Sequence, residues 1–301
     1  MVRRLCPAVT FSAGAAIVAL ALSACGSSSL STPTTSGSTP AASQSADPAL
    51  VAKLPAKIKS AGQIVVGTDA TYAPNEFLNA DGKTVQGMDV DLFNAVMQKF
   101  GVKVVWQPAG FDTIITGVQG GKYDVGVSSF TINPERKKQV NMVSYFNAGT
   151  QWAAAAGNPK KVDPNKPCGL NVAVQKGTVQ EQNDLPPKVK ACASTGKPLT
   201  VQVYDGQDQA TAAVVTGKAD AMLADSPIVG YAIKQSAPKL QAVGQVYDSA
   251  PYGYVVPKAQ TEFAQAIVDA LKALETSGDY KKILTKWGVE SGAINNFAVN
   301  P

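Results

Sequence analysis

One short phrase occurs twice in this chain, 96 residues apart: Gly121-Lys122-Tyr123-Asp124-Val125 and Gly217-Lys218-Ala219-Asp220-Ala221. Each copy follows an amphipathic helical pattern (Ile114, Ile115 and Val118; Ala213, Val214 and Val215) and leads into a short apolar strand. The separation is too long for a solenoid repeat and fits two related lobes. The rest of the chain keeps the same alternation. Strands are expected at 64–66, 102–106, 171–174, 200–204, 219–223 and 240–246. Leu92, Phe93, Val96, Met97 and Phe100 mark one face of a helix, and further helices are expected near Gln180, at 208–216 and at 227–234. A last amphipathic helix carries Phe263, Ile267, Leu271 and Leu274 and stops at Gly278. Strands alternating with helices imply α/β lobes with mainly parallel sheets.

The N-terminus reads as a targeting segment. Arg3 and Arg4 precede a short apolar run, Phe11 to Leu22, too short for a confident membrane span. A Ser/Thr/Pro/Gly/Ala-rich stretch follows from Gly26 to Ala46 and cannot bury enough surface to fold, so a flexible tether is expected through residue 54. Downstream of Cys25 only Cys168 and Cys192 remain, an even pair in an exported chain, and a disulfide is expected between them. The chain has no His, which excludes histidine-based catalysis, and no cysteine cluster has zinc spacing; no metal or cofactor is implied. A net charge of +5 with scattered cations gives no footprint for nucleic acid.

Chemistry gathers where strands end, the place at which open α/β sheets hold ligands. Asp69 and Tyr72 follow the first strand. Ser128, Ser129 and Thr131 follow a strand-like run from Tyr123 to Val127. Asn133 and Pro134 then form a strong helix start, with Arg136, Lys137 and Lys138 in a first turn whose dipole disfavours cations. Gln175, Val179 and Gln180 follow the strand in the second half, and Asp225 follows 219–223. Each alone fits a bland role: Asp69 or Asp225 as a helix cap, Tyr72 and Phe111 as core. Together they place one cation in the first half and one anion in the second, each beside donors and hydroxyls, which suits a zwitterion.

The runs Val66-Gly67-Thr68-Asp69-Ala70-Thr71-Tyr72-Ala73-Pro74, Gly87-Met88-Asp89-Val90-Asp91-Leu92 and Ser128 to Lys138 carry a resemblance. So, more weakly, do Gly177-Thr178-Val179-Gln180, Asp220-Ala221 with Asp225, and Pro251-Tyr252-Gly253. Over 64–287 the chain resembles the family 3 solute-binding proteins of bacterial ABC importers, the polar amino acid group. The resemblance implies a two-lobed periplasmic-binding-protein-like fold of type II. It implies that Arg136 grips a ligand α-carboxylate, helped by Thr131 and by amides near Ser129 and Val179. Asp225 would take the α-ammonium, Tyr72 and Phe111 would sandwich the aliphatic part, and Asp69 and Gln175 would read the side chain. Asn75 stands where the family usually has an aromatic, and Val179 is apolar where some relatives carry a hydroxyl. The chain would cross between lobes near 149–152 and 251–253, giving lobe one as 55–149 with 253–301 and lobe two as 150–252.

Partners implied are a free amino acid and a separate ABC permease in the membrane, with the protein acting as a monomer. An exported dehydratase on the same fold, with Asp69 or Glu76 as acid or base, is the alternative from another class; a ligand-sensing module for a separate receptor is a third. Leu22-Ser23-Ala24-Cys25 resembles a bacterial lipobox, which implies removal of residues 1–24, a lipid on Cys25, and anchoring to the outer face of the cell membrane. Cleavage of an ordinary signal near Ala24 is the alternative. On the lipobox reading, Cys25→Ala should move the protein from the membrane fraction to the medium or periplasm; an uncleaved protein that stays with the membranes contradicts it.

Overall fold

The computed structural model describes residues 46–301. The segment expected to be a signal, Cys25 and most of the expected tether lie outside the described residues. The first half contributes seven strands: β1 (Gln63–Thr68), β2 (Thr71–Tyr72), β3 (Glu76–Leu78), β4 (Val85–Gln86), β5 (Lys103–Pro108), β6 (Val125–Gly126) and β7 (Asn141–Ala155). The second contributes β8 (Asn171–Gln175), β9 (Thr200–Tyr204), β10 (Ala221–Asp225) and β11 (Leu240–Val256). Eight of them form one sheet in the order β5-β1-β6-β11-β7-β10-β8-β9, and β2-β3-β4 form a small antiparallel sheet beside it. Parallel pairing joins β5, β1 and β6 at one end and β10, β8 and β9 at the other. The two long strands β7 and β11 run antiparallel between these parallel groups.

Those long strands are the main departure from the sequence reading, which placed no strand at 141–155 and ended one at Val246. The reason is physical. Nearly every residue of β7 is buried, so its sequence lacks the polar alternation that marks a half-exposed strand. Its partner β11 stays paired by absorbing register shifts between Val243 and Tyr247, between Tyr247 and Ala250, and between Tyr252 and Gly253.

Strand alternation sorts the core onto two faces of the sheet in each half. Ile64 and Val66 pack against the helices Met88–Lys99 and Thr261–Thr276, while Val65 faces Ile114 and Val118 of the helix Phe111–Gln119. In the second half Ala173 and Met222 meet the helices Gln207–Val215 and Ser226–Gln235. Val172, Val174, Ala221 and Leu223 meet Leu185, Cys192 and Trp152 on the other face. Covering both faces of a parallel group is what such strands require.

The packed structure also begins earlier than the sequence suggested. Asp47 caps the helix Pro48–Ala52, its N–H donates to the Lys99 carbonyl, and Leu50 and Leu54 are buried in the first-half core. Residues 47–54 are therefore packed structure rather than part of the expected tether, because Leu50 and Leu54 reach the first-half core.

Cys168 and Cys192 form a disulfide, 24 residues apart. It ties the start of β8 to the helix Leu185–Ala193. Chain-entropy arguments give about 3 kcal/mol for a loop of this size. Peptide mapping of the exported, non-reduced protein should find this one linked pair, and Cys192→Ser should lower stability in urea by about that amount.

Candidate functional site

Four strands end facing one another where the two parallel groups meet. Asp69 and Tyr72 follow β1, Ser128 to Thr131 follow β6, Gln175 ends β8 with Val179 and Gln180 beyond it, and Asp225 ends β10. Eight of the eleven residues read from the sequence line one cavity: Tyr72, Phe111, Ser129, Thr131, Arg136, Val179, Gln180 and Asp225; Thr178 joins them. The cavity is about 10 Å³, the space of about one water molecule.

Arg136 is buried within the first turn of the helix Pro134–Gln139. That helix starts as its sequence indicates, with Asn133 Oδ1 accepting the Arg136 N–H at 2.8 Å. The Arg136 guanidinium donates to the carbonyl of Thr131 (2.9 Å) and, across the cleft, to the carbonyl of Gly177 (3.0 Å). It also lies 5.4 Å from the centroids of both Phe111 and Phe130, which stack on each other at 4.5 Å. Among the described residues it forms no ion pair within 4.0 Å. Burial pulls its pKa down to about 10, and the field of Asp225 works in the other direction.

Asp225 is the opposing charge, and it too is buried. Three side-chain donors converge on its carboxylate: Tyr72 Oη (2.9 Å), Tyr252 Oη (2.8 Å) and Gln180 Nε2 (2.8 Å). Burial raises its pKa, and the bonds from Tyr252, Tyr72 and Gln180 oppose the rise. The two tyrosine hydroxyls are in turn held well above their ordinary pKa by burial and by the charge of Asp225, so they remain donors.

Asp69, Ser128 and Gln175 stand behind this wall. Asp69 accepts from Thr71 N (3.0 Å), Thr71 Oγ1 (2.6 Å), Phe111 N (3.1 Å) and Gln175 Nε2 (2.7 Å). Four donors leave that carboxylate fully engaged. Ser128 Oγ accepts the Asp69 N–H at 2.9 Å and donates to Glu76. The amide of Ser129, expected among the free donors near the site, donates instead to Asp89 Oδ2 at 2.9 Å. Its left-handed φ of 49° turns that N–H inward.

Several groups carry no site role in the sequence reading, Tyr252 entering it only within the Pro251-Tyr252-Gly253 motif. Tyr252 and Thr150, which accepts from Gln180 at 3.1 Å, sit on the long strands whose pattern was illegible. Phe130 was masked as one apolar residue inside a polar run. Contacts across the cleft bind its walls directly: Gln175 to Asp69, Tyr72 to Asp225, Arg136 to Gly177, Gln207 N to Thr71 Oγ1 at 3.1 Å, and a Lys176–Asp112 ion pair at 2.8 Å.

This arrangement can be set beside known proteins. The family model for bacterial extracellular solute-binding proteins, family 3, matches residues 64–290. The chain belongs to that family. Its relatives include the arginine-binding protein ArgT of Corynebacterium glutamicum, 34% identical over 84% of this chain and 83% of ArgT. An ancestral arginine-binding protein solved with arginine is 35% identical, with a TM-score of 0.69 over 75% of this chain and 98% of its own. An ancestral amino acid-binding protein described as a precursor of cyclohexadienyl dehydratase is 33% identical, with a TM-score of 0.68 over 77% of this chain and 97% of its own. The two-lobed α/β architecture of these solute-binding proteins is that of the present chain.

Gly177 is a point of close backbone approach between the walls. Its φ is 78°, and a Cβ there would lie 2.9 Å from Asp112 Cβ and 3.1 Å from Asp112 Cα. Backbone cannot yield as a flexible side chain can. Gly177→Ala should therefore keep a native circular dichroism spectrum while enlarging the radius of gyration measured by small-angle X-ray scattering.

Proposed function

We propose that this family 3 protein binds a polar α-amino acid between its lobes, arginine or a similar cationic side chain foremost, and delivers it to an ABC permease. The observation that carries the reading is the pair of buried, opposite charges facing one cavity, Arg136 and Asp225, neither in an ion pair within 4.0 Å among the described residues. An α-carboxylate suits the forked guanidinium donors, and an α-ammonium suits a carboxylate already oriented by three donors. The arginine-binding relatives support the side-chain preference. Asp69 would present its negative field to that side chain through Gln175, since its own oxygens are occupied.

A cavity of this size admits an amino acid only when its walls separate. The lobes would move about the middle of β7 and β11, near 147–151 and 247–253, where the β11 register shifts cluster. Ligand bound to both walls then favours the closed form by its differential affinity. The lipid anchor expected at Cys25 would keep the protein beside its permease.

The dehydratase relative gives the enzyme reading one specific support. Against it, Glu76 lies behind Ser128 and Asp69 is saturated, so neither carboxyl reaches the cavity wall. Purified protein should not turn over prephenate.

Arg136→Ala and Asp225→Ala each strand a buried ligand charge, a change that costs about 2–5 kcal/mol, or roughly 30- to several-thousand-fold in affinity. Calorimetric binding of arginine should vanish in both while circular dichroism stays native. Lys137, next in sequence, points away and donates to the Pro301 carbonyl. Lys137→Ala should change affinity less than about threefold. Unchanged affinity in Arg136→Ala would remove the amino acid reading.

A further inference from the structure

Behind the Ser128–Ser129 turn lie two carboxyl groups with no role in the cavity, Glu76 and Asp89, both completely buried. Glu76 Oε2 and Asp89 Oδ2 each lie 3.3 Å from one hydroxyl, Ser129 Oγ. Glu76 sits on β3, and Asp89 in the first turn of the helix Met88–Lys99. The backbone clamps the two segments together: Met88 N donates to the Pro74 carbonyl and Asp89 N to the Asn75 carbonyl, each at 3.0 Å. Gly87 makes the approach possible, since a Cβ at its φ of 142° would lie 2.0 Å from the Asn75 carbonyl oxygen.

The donors around the pair can be counted. Asp89 Oδ2 accepts from Tyr145 Oη (2.5 Å) and Ser129 N (2.9 Å). Ser129 Oγ lies 3.3 Å from both Asp89 Oδ2 and Glu76 Oε2, and it accepts from Asn75 Nδ2 at 2.8 Å. A hydroxyl has one proton, so it serves one carboxyl and not both. Ser128 Oγ gives its proton to Glu76 Oε1 at 3.1 Å. Asp89 Oδ1 meets no N–H or O–H donor although it is buried. Two carboxylates sharing so few donors in a dry site cannot both be ionised. A proton carried by Glu76 supplies the donor that the Asp89 carboxyl lacks.

We propose that Glu76 and Asp89 share one proton, with Glu76 the acid and Asp89 the carboxylate, and that this pair is the positioning element that holds Ser129 left-handed and so shapes the ligand cavity. The role rests on the binding reading given above, but the protonation does not. Burial and the neighbouring Asp89 charge raise the Glu76 pKa, and burial raises that of Asp89 against the bonds from Tyr145 and Ser129. The other titratable groups facing the pair are Asp69, Tyr72, Tyr145 and Tyr254, and none is a cation. The sign of the pH effect follows. An acid whose pKa is raised by folding contributes stability that is complete below its ordinary value of about 4.3 and is lost as pH rises through its folded value.

The test uses the purified wild-type protein and three variants. Infrared spectroscopy at neutral pH should show the carbonyl stretch of a protonated carboxylic acid in the wild type and lose it in Glu76→Gln. Glu76→Ala should weaken arginine binding at least tenfold, and Glu76→Gln, which keeps a donor towards Asp89, should recover most of that loss. Asp89→Ala, which removes the acceptor of the Ser129 N–H, should weaken binding at least tenfold. No acid band in the wild type, a band that persists in Glu76→Gln, or equal losses for Glu76→Ala and Glu76→Gln overturns the proposal. A wild type that binds no amino acid overturns the binding reading instead, and the infrared spectrum alone then decides the shared proton.

Discussion

Everything in this molecule hangs on the antiparallel ladder between β7 and β11. Among the described residues it joins the two parallel groups of strands within one sheet, and the order of the eight strands puts it at the centre. A ladder of 15 and 17 residues is long enough to serve both halves at once. Its two ends are welded to different neighbours: β6 at one, β10 at the other. Between those ends the pairing slips register three times, with Tyr252 bridged there to Thr131. A continuous sheet and a local weakness thus come from the same two strands, and the strand ends that carry polar chemistry are brought together over the weak point.

The second constraint is electrostatic. Arg136 and Asp225 are buried without neutralising each other, which is costly unless each charge is solvated by fixed dipoles. Arg136 has two carbonyls and two ring faces; Asp225 has two phenols and a carboxamide. These substitutes for water come from both sides of the cleft, so closing the walls completes the solvation of both charges. The same logic governs the Lys176–Asp112 pair, except that this pair is half exposed and its contribution correspondingly small.

Much of the site could be read directly, because strand ends are punctuated by small, polar and turn-forming residues. Arg136 stood out for being a cation where a helix dipole repels one, and Asp225 for following an apolar run. Burial on both sides hid β7 and the second part of β11, and with them Tyr252 and Thr150. Ser129 was expected to offer its amide to the cavity; only the three-dimensional proximity of Asp89 reveals that the amide is committed elsewhere. Asp69 follows the first strand conspicuously in the sequence, but the number of its hydrogen-bond partners depends on Phe111 and Gln175, which are 42 and 106 residues away. Local sequence marks which residues are out of the ordinary; long-range partners decide what is left for them to do.

The three donors on Asp225 carry a consequence for selectivity. A newcomer to that carboxylate must displace or crowd a phenol or an amide that already bonds it. A neutral alcohol or carboxamide would exchange one uncharged hydrogen bond for another, with almost no net gain. An ammonium replaces an uncharged donor by a charged one, and such bonds are roughly twice as strong. On the binding reading proposed above, the occupied state of Asp225 would work as a threshold: amines would pass, and N-acylated or deaminated analogues of the same size would be turned away before any part of their side chain is sensed.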